Sequence, residues 1–119
     1  MNLQELPRYI SIDVAGSLED RFMGSEELYA RFLRKLLTTD DFAALQERTA
    51  AGDWQDALRR AHNLKGVCAN LGLADLSAAF AGLVQLLRSE GFQPRQAQSQ
   101  LAAIVPQWEK TLRYIGELE

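Results

Sequence analysis

The chain has one cysteine and one histidine among 119 residues. A single cysteine excludes an intramolecular disulfide framework. The two residues together also offer too few ligands for a Cys/His zinc site, so no metal is expected on this chain. There are only three prolines, and no stretch alternates apolar and polar residues for long enough to read as a strand. No uninterrupted apolar run approaches the length of a bilayer span, and the N-terminus has no secretory h-region. No membrane role and a cytoplasmic location are therefore expected. A basic excess is missing too. Thirteen Lys and Arg stand against sixteen Asp and Glu, for a net charge of −3, which argues against nucleic acid as the partner. The start at Met1 favours a free-standing protein over a piece of a larger one.

What is present is ordinary for a globular domain: 47% hydrophobic and 24% charged residues. The length suits a single domain over residues 1–119 with a real core. The first stretch, punctuated by Pro7, Gly16 and Gly24, reads as irregular or short helical structure. Ser25 suits an N-cap, with Glu26 and Glu27 in the first turn and Leu28, Phe32 and Leu36 following at helical spacing. At about 100° per residue, Phe42 and Leu45 fall off that face. A kink or break is therefore expected near Thr38 to Asp40, with Thr39 as a new cap and Gly52 closing the segment.

Asp53 is the next N-cap. Ala57, Ala61, Leu64, Cys68 and Leu71 follow at alternating spacings of four and three, a stripe that faces a bundle. Gly72 fits the C′ position. Leu76, Phe80, Leu83 and Leu87 mark a helix from about Ala74 to Glu90, stopped by Gly91. Pro94 opens the last helix, whose inner face carries Ala97, Leu101, Ile104, Trp108, Leu112 and Ile115, with a kink expected near Val105, before Pro106. Short loops between long helices make neighbours antiparallel. The expected fold is all-α: an up-down antiparallel four-helix bundle with an additional short N-terminal helix.

The lone histidine lies in "AHNLKGVCANLG", residues 61 to 72. Relative to the stripe, His62 points roughly 140° away from the bundle interior. Lys65 and Gly66 lie one turn further on, and Gln55, Leu58, Arg59 and Ala69 share the neighbourhood. An exposed histidine is most often a residue with no task. Gly66 shifts that balance. A mid-helix glycine costs about 1 kcal/mol relative to alanine, and its outward direction speaks against close helix packing. A missing Cβ beside the imidazole clears space for another molecule or a bulky adduct. Lys65 is either a solvated lysine or the charge partner of a ring made anionic by phosphorylation.

At these residues the sequence resembles the histidine-containing phosphotransfer (HPt) domain of bacterial multistep phosphorelays. The pattern A-H-x-L-K-G-x-x-x-x-L-G is met by Ala61, His62, Leu64, Lys65, Gly66, Leu71 and Gly72. Upstream, Arg21, Gly24, Leu28 and Tyr29 resemble an R-x-x-G-x-x-x-L-Y stretch, and "AAGDW" is also typical. The resemblance covers roughly residues 11 to 92. It implies that His62 is the phosphoacceptor, that Lys65 holds a phosphoryl oxygen, and that Gly66 leaves room for the partner's active site. It also implies that Arg88 faces the phosphohistidine from the next helix. Val84 departs from the family, which often has Gln or Glu there to orient the ring, and Gln85 points about 100° away. Family members commonly run unbroken through "LLTTDDFAALQ".

The resemblance further implies a monomeric phosphocarrier of a two-component system rather than an enzyme. Its partners would be response-regulator receiver domains and a hybrid sensor histidine kinase. It would need no cofactor of its own, Mg²⁺ being expected on the receiver. Met23, Phe22 and Leu58 are candidates for the docking surface. Two other readings stand beside this one. One is a non-phosphorylated bundle that binds receivers or a kinase, which Val84 favours. The other is an enzyme with His62 as general base, although no carboxylate or serine is visibly placed to complete such a site.

Overall fold

A computed structural model describes residues 1–119 and contains helices and no strands. A 3-10 segment, Leu3–Arg8, precedes six α-helices: α1 (Val14–Asp20), α2 (Glu26–Lys35), α3 (Asp41–Ala51), α4 (Trp54–Asn70), α5 (Ala74–Arg88) and α6 (Pro94–Ile115). Helices α3, α4, α5 and α6 form the bundle, each packed against the next, with α6 closing back onto α3. Twenty-seven buried apolar side chains make one continuous core. No helix is long and apolar enough to cross a membrane.

The chain does break between α2 and α3. The turn after Lys35 is held by 3-10-type bonds from Leu37 N–H to the Arg34 carbonyl and from Thr38 N–H to the Lys35 carbonyl. The cap falls on Asp40 rather than Thr39, although the Thr39 hydroxyl accepts the Asp41 N–H at 3.3 Å. Arg60 then pins the start of α3 to α4 through Asp41, at 2.6 Å.

The inner face of α2 is shifted by one residue from the expected stripe. Tyr29, Leu33 and Leu36 are buried, while Leu28 is half-buried and Phe32 remains 39% exposed. Tyr29 can lie inside because its phenol donates to the Leu71 carbonyl at 2.6 Å, satisfying its polar end. In α6, Thr111 is buried in place of Leu112, and its hydroxyl donates to the Gln107 carbonyl at 2.8 Å. Helix α6 runs without a break through Pro106. Pro106 and Ala102, whose carbonyl the proline leaves without a helical donor, are both exposed residues. Of the two forms expected for the N-terminal region, the structure shows short helices: the 3-10 segment and then α1, with Asp13 accepting the Gly16 N–H at 3.0 Å.

Candidate functional site

Helix α4 runs for 17 residues between two short turns in the middle of the bundle. Its start is fixed by Asp53, whose carboxylate accepts the Asp56 N–H at 3.3 Å. Its end closes with Leu73 N–H bonded to the Cys68 carbonyl at 2.9 Å and Gly72 N–H to the Ala69 carbonyl at 3.2 Å, the paired bonds of a left-handed C-terminal cap. Ala57, Ala61, Leu64 and Cys68 are buried along one face. The small side chains of Ala57 and Ala61 let α3 and α5 close against this helix. Burial pushes the Cys68 thiol up to about 12.

On the opposite face His62 and Gly66 are exposed, and Lys65 is half-buried between them and α5. The Lys65 carbonyl accepts the Ser77 hydroxyl at 3.0 Å, so this turn of α4 is tied to α5. No side chain hydrogen-bonds to the imidazole. Val84 is buried in the core and Gln85 faces solvent, so neither of them orients the ring. A Cβ placed on Gly66 would meet nothing within 4 Å. The fold itself does not require this glycine.

His62 lines a surface hollow of about 750 Å³, together with Arg88 from α5 and Arg48 from α3. Lys65 lies one helical turn along, outside this lining. Of the expected site residues, the structure therefore brings His62 and Arg88 to one hollow, with Gly66 open beside them and Lys65 on the α5 side.

The hollow also contains an ion-pair cluster. Asp56 takes Arg59 at 2.6 and 3.0 Å, Arg48 at 3.1 Å and Arg60 at 3.5 Å. These cations, Arg59 foremost through its hydrogen bonds, hold the Asp56 carboxyl below the usual carboxylate range. Asp56, Arg59 and Arg60 sit at i, i+3 and i+4 on one helix, and that spacing was a readable signal. Arg48 joins from α3, which no local pattern on α4 announces.

Beyond Gly66, α4 meets α2 at an apolar groove of about 520 Å³ lined by Phe32, Leu36 and Val67, with Lys35 at its edge. The Lys35 ammonium lies 4.4 Å from the centre of the Phe32 ring. Met23 is 88% exposed and holds a left-handed φ of 52°, a conformation that costs a non-glycine residue energy. Phe22 is buried, stacked on Tyr29 at 4.8 Å, so it offers far less surface than its neighbour Met23. Leu58 is half-buried.

The family model described as Hpt domain matches residues 27–117. The match takes in α6, beyond the residues 11 to 92 that carried the sequence resemblance, and leaves out residues 11–26. No curated protein and no solved structure matches the chain. Hpt domains carry phosphoryl groups in phosphorelays rather than catalysing a reaction of their own, and they interact with receiver domains and kinases. Because the match spans most of the residues and all four bundle helices, this chain belongs to the Hpt-domain family.

Proposed function

We propose that this chain is a phosphotransfer protein that takes a phosphoryl group on His62 from a receiver-domain aspartate and passes it to a second receiver. The observation that carries this reading is the open space at Gly66 beside the only, and exposed, histidine. A residue that weakens its own helix and that no internal contact demands points to something arriving from outside.

A ring nitrogen of neutral His62 attacks phosphorus in line. The N–P bond forms as the aspartyl O–P bond breaks, and the electron pair leaves on the carboxylate. The proton on the other ring nitrogen exchanges with water, because the ring is exposed. Transfer to the next receiver is the same step reversed. Lys65 neutralises a phosphoryl oxygen from one turn away, and Arg88 does so from α5. We place no cofactor on this chain; Mg²⁺ is expected on the receiver. The whole chain, residues 1–119, acts as one unit. It works in the cytoplasm of a bacterium as a monomer, with a hybrid sensor kinase upstream. The exposed apolar side chains of Met23, Phe32 and Val67 give a receiver a surface to settle on.

A second reading, a bundle that binds receivers without carrying phosphate, is favoured by an imidazole that no side chain holds, with Val84 buried in the core. One experiment separates the two. Wild type and His62→Gln are each mixed with a phosphorylated receiver in a single turnover. We expect acid-labile phosphate on the wild type and none on the variant, with both equally helical. Receiver binding without any labelling of the wild type would establish the adaptor. Labelling of His62→Gln would show that the site is wrong.

A further inference from the structure

Arg59 stands out among the cations of the hollow. It is three residues before His62, as Lys65 is three residues after, so the two flank the imidazole from opposite sides at about 60° each. The three arginines on Asp56 are not equivalent. Arg60 is also fixed to Asp41 at 2.6 Å and is only 23% exposed. Arg48 reaches Asp56 from α3. Arg59 has Asp56 as its one partner and is 58% exposed. If Arg59 leaves, Asp56 keeps two arginines, and the lost contact is an exposed pair of small worth.

We propose that Arg59 is a second phosphoryl-holding residue, parked on Asp56 while His62 is bare and drawn to the phosphoryl oxygens once the group is on the ring. This rests on the reading of His62 as phosphoacceptor. Side chains three residues apart on a helix are neighbours, and a guanidinium is long enough to turn from Asp56 to a group mounted on the imidazole. The dianionic phosphoryl group offers three acceptor oxygens in place of one already crowded carboxylate. The remaining charges that face the group are Arg88 from α5, Arg48 from α3, and Asp53, Asp56 and the Asp41-bound Arg60 from α4, with Lys65 one turn beyond.

The test uses the whole chain and a small chemical phosphodonor, phosphoramidate, so that no receiver is needed. There is one histidine, so the phosphohistidine signal in ³¹P NMR has one source. The second ionisation of the phosphoryl group is followed against pH. A nearby cation favours the dianion and lowers the midpoint. Arg59→Ala should raise that midpoint by roughly half a pH unit, discounted for exposure, and Arg59→Lys should restore most of it. Competition with Asp56 predicts a larger effect of Arg59→Ala in an Asp56→Asn background than in the wild type. An unchanged midpoint in Arg59→Ala overturns the role, since an arginine that only braces α4 would not move it. Equal effects in the two backgrounds overturn the competition with Asp56. Failure of wild type to form any phosphohistidine overturns the reading of His62 itself, and this inference with it.

Discussion

Two glycines, six residues apart, meet opposite conditions. Gly72 ends α4 at a φ of 78°, and a Cβ there would strike the Ser17 hydroxyl and come within 2.6 Å of the Asp13 carbonyl oxygen. The chain explains that glycine from within: the turn needs a left-handed residue, and the start of α1 lies against it, with Asp13 N–H bonded to the Gly72 carbonyl at 2.9 Å. Gly66 sits in regular helix with open space where its Cβ would be. Folding would gain from any ordinary residue there. The contrast separates a residue kept for the fold from a residue kept for a visitor.

Substituting each glycine tests the contrast directly. Gly66→Gln should bring transfer from a phosphorylated receiver below detection, the largest effect expected. The same variant should melt slightly higher, by roughly 3 °C, because glutamine is the better helix former by up to about 1 kcal/mol. Transfer at the wild-type rate would make Gly66 an accident of sequence. Gly72→Ala should do the reverse. The left-handed backbone costs about 1–2 kcal/mol, and the Asp13 backbone must also move. A total of about 3 kcal/mol and a melting temperature lower by roughly 10 °C follow. A melt within a degree or two of wild type would mean that the α1–α4 junction is looser than its contacts suggest.

Lys65→Ala is the smallest and the sharpest of these tests. Lys65 is half-buried, and the bond that ties its turn to α5 uses its backbone carbonyl, not its ammonium. Stability should scarcely change. Single-turnover transfer should slow roughly ten-fold, as expected for one charge-assisted hydrogen bond of about 1–2 kcal/mol. Arginine at this position should recover part of the rate. Equal rates for all three proteins would leave Lys65 a solvated side chain.

The sequence was legible where local rules act alone. Asp53, the Ala57–Ala61–Leu64–Cys68 stripe and Gly72 announce α4 from cap to cap, and the structure has them in those roles. His62 could be placed outward by counting angles. Other features depend on a partner far along the chain. Tyr29 goes inside only because Leu71 supplies an acceptor 42 residues later, so its phenol misled the pattern, and Phe32 took the exposed place instead. The break after Lys35 was visible in the phase change. Its cap went to Asp40 because α3 starts where Arg60 can reach Asp41. The arginine cluster on Asp56 was half visible, two members by helical spacing and Arg48 only in three dimensions.

Cys68 offers a clock for the same helix. It is fully buried, its thiol is pushed up to about 12, and it is the only cysteine in the chain. A thiol reagent in solution therefore reacts with this protein only during the moments when α4 comes away from its neighbours. The labelling rate in native buffer counts those openings without denaturant. Because Cys68 and His62 share one helix, following that rate as phosphate loads onto His62 would show whether the modification tightens the bundle or is carried by a scaffold whose breathing it leaves unaltered.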